Sequence, residues 1–199
     1  MIKIQGKIPR QINIACSGGV DSMAVVDFLS KSHKLNLMFF DHGTETSKEA
    51  KEFLLEYVAK SDRGITLEIG HILEEKHPRE SWEEYWRNER YRWFFSKEEQ
   101  IVTCHHLDDC VETWIWSSLN GEGKIIPYSN RNIIRPFMLN RKTEFYEWAK
   151  DKMVPWVEDK SNDDPKYARN YIRNVMLPNA LVINPGIHKV IAKKVKRNA

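Results

Sequence analysis

The sequence predicts an α/β fold: a Rossmann-like, mainly parallel sheet with helices on both faces and a small helical appendage at the C-terminal end. Three observations carry this expectation. Short apolar, β-branched runs alternate with stretches whose apolar residues recur at helical spacing. The first such run enters a Gly-Gly turn that opens a helix. Clusters of titratable residues stand directly after the runs, at the strand-to-helix loops where folds of this class bind ligands.

Taken in order, residues 12–16 form the first strand and 22–29 the first helix. Residues 35–40 form a second buried strand, followed by Asp41-His42-Gly43 and a helix over about 47–60, and 66–69 form a third strand. Residues 81–95, rich in Trp, Glu and Arg, read as a long amphipathic helix whose Ser81 and Glu84 match a capping box. A fourth strand, 101–104, runs into His105-His106 and a helix over 109–118, and a short fifth strand passes through Ile133 and Ile134. After Asn140 the pattern changes to a helix (143–150), a polar loop (158–165) and a basic helix. These divisions give a sheet domain over 1–140, a helical appendage of the same unit over 141–185 and a basic tail over 186–199.

With 41% hydrophobic and 30% charged residues in 199, the chain has the composition of an ordinary globular protein, which excludes disorder as its main state. No apolar run approaches the roughly 20 residues that span a bilayer, and the first residues lack a signal-peptide core, so the expectation is a cytoplasmic protein without a membrane partner. Cys16, Cys104 and Cys110 make an odd count with no CxxC pair, which argues against a disulfide framework and predicts reduced thiols. The net charge of +3 is unevenly distributed: from Lys166 onward there are eight cations and no Asp or Glu, leaving −5 for the rest. Such asymmetry points to a polyanionic partner or to a solvated basic end. In the tail, helical spacing places Lys189, Lys193, Lys196 and Arg197 on one surface and lets Val190, Ile191 and Val195 pack inward.

Ser17-Gly18-Gly19-Val20-Asp21-Ser22 lies between the first strand and the first helix. Its glycines remove Cβ atoms that would hold backbone N–H groups away from a phosphate, the serines add hydroxyls, and the helix N-terminus adds a positive dipole end. A plain Gly-rich turn capped by Asp21 or Ser22 is the bland alternative. The loop lacks the Gly-Lys-Ser/Thr of a Walker A motif, which disfavours γ-phosphoryl transfer. After the fourth strand comes Cys104-His105-His106-Leu107-Asp108-Asp109-Cys110-Val111-Glu112-Thr113. Helical spacing lets Asp108, Asp109 and Glu112 share a face, and Asp109 with Glu112 also fits a capping box. Zinc is disfavoured, because adjacent histidines are poorly spaced for a tetrahedral site.

SGGxDS resembles the PP-loop of the ATP pyrophosphatases, and HHLDDxxET resembles the tRNA(Ile)-lysidine synthase family. Further segments agree: Arg87, Glu89, Arg90 and Tyr91; Arg135-Pro136-Phe137 with Arg141 and Glu144; and Glu158-Asp159-Lys160-Ser161-Asn162 with Arg169-Asn170-Tyr171-Ile172-Arg173 and Leu177-Pro178. The resemblance covers roughly residues 12–178. The Gly-rich connection of the family is shortened here to Asn120-Gly121-Glu122-Gly123-Lys124, and longer members continue into domains that help to grip tRNA.

The resemblance implies a ligase that adenylates the wobble cytidine of an isoleucine tRNA with ATP and Mg²⁺, releases pyrophosphate, then attaches lysine and releases AMP. Under it, Asp108, Asp109, Glu112, His105 and His106 are catalytic candidates. Ser17, Gly18, Gly19, Val20, Asp21, Ser22, Asp41 and His42 are candidates for ATP, and Asp21 and Asp109 for the metal. Arg87, Arg90, Arg169, Asn170 and Arg173 are candidates for substrate. The partners are tRNA and L-lysine, and a homodimer is compatible with the sequence. The alternatives are a 2-thiolating relative, which lacks its usual cysteine pairs here, and a nucleotide-binding module without catalysis.

Overall fold

The computed structural model describes residues 1–158 and 168–197. Strands β1 (Gln11–Ala15), β2 (Lys34–Asp41), β3 (Thr66–His71), β4 (Ile101–Val102), β5 (Ser129–Asn130) and β6 (Ile133–Ile134) form a sheet in the order β3-β2-β1-β4-β6-β5. Every neighbouring pair is parallel except β5 and β6. The mainly parallel sheet agrees with the sequence. The β5–β6 hairpin was not anticipated, since two exposed residues, Ser129 and Asn130, carry no strand signal. It turns at Arg131, whose φ of 52° is left-handed.

Alternation along the strands sorts side chains onto two faces. Ile12 and Ile14, Leu35, Leu37 and Phe39, Val102 and Ile134 point to one side. They are covered by helices α1 (Val20–Ser30), α2 (Glu45–Lys60) and α5 (Lys142–Asp151), which contribute Met23, Val26, Leu29, Leu54, Phe145 and Ala149 to the same core. Met38, Ile101 and Ile133 point to the other side, against Phe94 of α3 (Trp82–Phe95). On that face Asn36 donates to Asn13 at 3.0 Å and accepts from Thr66 at 2.8 Å, so the polar interruptions of three strands satisfy one another. At α3's start Ser81 accepts from the Glu84 N–H at 3.1 Å, as the sequence suggested.

A second core lies beside the sheet. Leu107, Cys110, Val111 and Ile115 of α4 (Leu107–Leu119) pack against Ile172 and Leu177 and against Ile187, Ile191 and Val195 of α8 (Ile187–Arg197). Residue 190 corrects an expectation: the buried stripe of α8 runs through 187, 191 and 195, and Val190 is 45% exposed. Residues 168–183 form α6 (Ala168–Tyr171), a π-helical turn (Ile172–Met176) and α7 (Leu177–Ile183). Pro178 has no N–H to give to a regular helix, and the widened turn precedes it, with Leu177 N–H donating to Ile172 C=O.

The order of strand addition reverses at β1: β2 lies on one side and β4 on the other. In open parallel sheets this switch point leaves a crevice beyond the strands' carboxyl ends. Asn140 ties the N-terminal residues to the start of α4. Fully buried, it exchanges hydrogen bonds with the Lys3 backbone at 2.7 and 2.8 Å while its carbonyl accepts from Leu107 N–H at 2.7 Å.

Gly70 of β3 lies directly under Trp93, such that a Cβ there would stand 2.4 Å from the indole. The ring is already packed against Phe40 and Phe94, so it has little room to retreat. Gly70→Ala is expected to cost about 1–3 kcal/mol and to lower the melting temperature by roughly 2–10 °C. An unchanged thermal transition would contradict this packing.

Candidate functional site

The loop after β1 begins where Cys16 N–H makes the last rung to Met38 C=O at 3.0 Å. Gly18 then adopts φ 80°, which costs an ordinary residue about 1–2 kcal/mol. Backbone angle fixes this glycine, since an added Cβ would find only van der Waals contacts of 3.5 Å and longer. The N-cap of α1 is Gly19, with no side-chain cap, which corrects the alternative of Asp21 or Ser22 in that role. Ser22 instead donates to Gly19 C=O at 2.9 Å, and Ser17 Oγ lies 3.4 Å from both Gly19 N and Ser22 Oγ. The first turn of α1, with Val20, thus presents N–H groups that no side chain among the described residues occupies, the arrangement that suits an anion.

The end of β4 meets this loop. Thr103 Oγ1 lies 2.8 Å from His105 Nδ1. Burial, helped by the cations of Arg135, Arg169 and Arg90, pulls the His105 pKa down to about 3, so the ring is neutral. His106 is the N-cap of α4: its N–H donates to Asp109 Oδ2 at 2.9 Å and its Nδ1 accepts from Asp109 N–H at 3.2 Å. The capping box therefore joins His106 to Asp109, one turn earlier than the Asp109–Glu112 box the sequence allowed. Nε2, left with the ring proton, lies 3.6 Å from Asp21 Oδ2. Burial opposes charge on His106, but Asp109, Asp21 and Asp108 outweigh it and hold the pKa above its ordinary value.

Helical spacing places the three carboxylates on one face, but the structure divides them. Asp108 turns outward from the loop, accepting from Lys142 N–H at 2.8 Å, from Arg141 Nε at 3.2 Å and facing His188 Nε2 at 2.9 Å. Asp109 and Glu112, both buried, turn toward α6. Arg169 reaches Asp109 Oδ1 at 2.7 Å and Glu112 Oε2 at 3.2 Å, and Arg173 reaches Glu112 at 2.7 and 3.0 Å. Burial would raise the Asp109 pKa, yet His106 and Arg169 beside it hold it at about 2. Asn170, between the two arginines in sequence, is buried. The partner residues of the resemblance at Asp159, Lys160, Ser161 and Asn162, most of the expected polar loop and Lys166 lie outside the described residues.

Asp41 and His42 end β2. Asp41 accepts from Gly43 N–H at 2.9 Å and Ser47 Oγ at 2.8 Å and pairs with Lys51 at 2.7 Å, so its acceptors shape the loop; despite burial these donors hold its pKa at about 2. His42 packs between Phe40 and Trp86, and burial together with Arg90 lowers its pKa to about 4. Arg87, on the surface of α3, lies over the Tyr91 ring at 5.1 Å. Arg90 has no ion pair among the described residues, and burial, then repulsion from Arg87 and Arg169, lowers its pKa. An unpaired, partly desolvated guanidinium beside His42 and His105 favours an incoming anion.

Among the described residues no group of three His, Cys, Asp or Glu side chains is arranged to hold a metal. Of the two proposed Mg²⁺ ligands, Asp21 fits: its Oδ1 is buried without a hydrogen-bond partner among the described residues. Asp109 fits less well, because His106 N–H and Arg169 already take its two oxygens. Two supporting residues carry no local sequence signal. His188 gave no signal beyond a lone histidine on an amphipathic helix, and Lys51 looked like any surface lysine.

The depressed pKa values make stability acid-sensitive in two windows. Below pH 6.5 the unfolded chain protonates His42 and His105 while the folded chain holds them neutral to about 4 and 3, so stability falls with pH. Below about pH 4 the same holds for Asp41 and Asp109, whose contribution is lost toward pH 2. Thermal melts between pH 7 and 3 should show this decline, and His42→Gln should flatten its upper part. A flat profile from pH 6.5 to 4 would contradict it.

The PP-loop domain family matches residues 2–180 of the chain. Among curated proteins, the tRNA(Ile)-lysidine synthase of Haemophilus ducreyi is 29% identical over 94% of this chain and 46% of its own length. That of Thermosipho africanus is 30% identical over 94% of this chain and 47% of its own. The chain thus spans about half the length of these relatives. Among solved structures, the U34-tRNA thiolase NcsA from Methanococcus maripaludis, with its [4Fe-4S] cluster, superposes with a TM-score of 0.71 at 15% identity. That superposition covers 96% of this chain and 73% of the thiolase, a likeness of fold. With nearly its whole length matched and its Gly-rich loop at the switch point of a parallel sheet, the chain belongs to the PP-loop domain family.

Proposed function

We propose that this chain is the catalytic unit of a tRNA-modifying ligase that adenylates a wobble cytidine and then attaches lysine to it, making lysidine. One observation carries the reading: the uncapped Gly-rich loop and the HHLDDxxET segment converge at one crevice, with Asp21 and His106 3.6 Å apart. The names of the similar lysidine synthases support the choice of substrates.

In the first step the carbonyl oxygen of the cytidine attacks the α-phosphorus of ATP, the bond to the β-phosphate breaks, and pyrophosphate leaves toward the loop 17–22. Val20 and Ser22 N–H groups, the Ser17 hydroxyl and the α1 dipole stabilise the departing charge. Mg²⁺, held by Asp21 and with Asp109 as a further candidate, would neutralise pyrophosphate charge. Arg90, with Arg87, Arg169, Asn170 and Arg173, faces the anionic substrates.

In the second step the lysine ε-ammonium gives up a proton to solvent, the neutral ε-amine attacks position 2, and AMP departs with the oxygen. An amine of pKa near 10.4 is only about 0.04% unprotonated at pH 7, a deficit worth up to roughly 4.6 kcal/mol. Asp109, held acidic against its burial by His106 and Arg169, meets the amine as a carboxylate. Its role is to hold the amine, in exchange for Arg169, with Glu112 beside it, while desolvation in the crevice lowers the amine's pKa. Asp108, spent on Arg141, Lys142 and His188, positions α4. Thiolation by cysteine is disfavoured: burial pushes the Cys110 thiol up to about 12 and raises Cys16 and Cys104 as well, so none is a ready thiolate.

Incubation with labelled lysine, ATP and bulk tRNA, followed by nucleoside analysis, tests donor and acceptor together. AMP and pyrophosphate should be the nucleotide products; ADP as the main product would sink the reading. Asp109→Asn should cut lysine transfer at least 100-fold while retaining helix content, since an amide oxygen still accepts from His106 N–H. Full activity in that variant would reduce the carboxylate to its capping role.

A further inference from the structure

Helix α8 carries Lys189, Lys193, Lys194, Lys196 and Arg197 and no acidic residue, all five exposed. None of them forms an ion pair among the described residues, although elsewhere in the molecule arginines and lysines repeatedly do. The helix is not a loose end. Ile187, Ile191 and Val195 are 7, 0 and 1% exposed against α4, and His188 reaches Asp108 at 2.9 Å. The opposite face is therefore held in one orientation, with Lys189, Lys193, Lys196 and Arg197 side by side on it and Lys194 at its flank, a cluster whose mutual repulsion an external polyanion would relieve.

We infer that the exposed face of α8 is a docking track for the phosphodiester backbone of RNA. The inference rests on the tRNA reading above and deepens it by naming where the backbone is held. Eleven residues at 1.5 Å rise make the track about 16 Å long, enough for two or three successive phosphates. Its beginning is tied beside the first turn of α4 through His188, so the track runs outward from the crevice. Lys194 and Arg197 also line a shallow cavity of about 210 Å³ with Gly123 and Ile125, where a phosphate could meet two cations at once. A membrane is the other polyanionic surface that basic helices seek. That mode needs an apolar face free to enter the lipid, and here the apolar face is spent on α4.

The test is direct binding of bulk tRNA to the full chain at several salt concentrations, which reads RNA contact independently of nucleotide chemistry. Lys189→Ala, Lys193→Ala, Lys196→Ala and Arg197→Ala together should reduce the slope of log K against log salt by roughly two to three and weaken binding at least tenfold near 0.1 M salt. Melting temperature should stay within a few degrees, because all four side chains are exposed. Replacing the three lysines by arginine should preserve the slope. An unchanged slope in the alanine variant overturns the inference while leaving the tRNA reading intact. A wild-type chain that binds no tRNA overturns both. Binding to phosphatidylserine vesicles that the alanine variant loses, with tRNA binding unaltered, would assign the face to a membrane and also overturn it.

Discussion

The first turn of α4 is the constraint on which the rest of the molecule depends. Two carboxylates stand next to each other at a helix N-terminus, where the dipole favours negative charge. Successive helical residues point about 100° apart, so Asp108 and Asp109 face different parts of the protein. Asp108 gathers Arg141, the Lys142 N–H and His188, which lie 33, 34 and 80 residues away. Asp109 closes its own helix through His106 and gathers Arg169, 60 residues away. Removing one partner from such a buried cluster leaves an uncompensated charge, a penalty of several kcal/mol in other proteins. Three distant segments are thereby tied to one turn beside the loop 17–22.

The same turn explains the electrostatic character of the crevice. Asp109 and Glu112 are neutralised by Arg169 and Arg173, so the buried negative charge is balanced internally. Among the described residues Arg90 is not balanced in this way, and Asp21 keeps an unpartnered oxygen. Such imbalances are costly in a folded protein and are retained where a ligand completes them. A polyphosphate with its cation would satisfy both signs.

Rigidity comes from the division of labour between the two cores. One wraps β1, β2 and α1 so completely that Met23, Val25, Val26 and Leu29 are all fully buried, which fixes the loop 17–22 at its root. The other presses α8 and the 168–183 helix onto α4 and sets the arginines opposite the carboxylates. The widened turn at Ile172–Met176 lies within the stretch that carries Arg173, in keeping with the frequent occurrence of such turns at functional sites.

The sequence alone determined the local chemistry. Alternating apolar runs marked β1 to β4 and β6, because burial on both faces demands β-branched and aromatic residues there, and the Gly18-Gly19 pair marked a turn, in which the fold gives Gly18 alone a φ above zero. It also brought Asp108, Asp109 and Glu112 within one helical turn. Which way each points was decided only by tertiary structure, since a periodicity defines a face without naming the partner opposite it. His106 rather than Asp109 caps α4 because the end of β4 and the buried Asn140 carbonyl set where the helix begins. Val190 is exposed and His188 buried because the stripe of α8 is chosen by the surface of α4, which no local window contains. The ties that matter most, Asp108 to His188 and Asp109 to Arg169, join residues 80 and 60 positions apart. Their free energy comes from mutual desolvation and pairing, which exist only once the chain has folded.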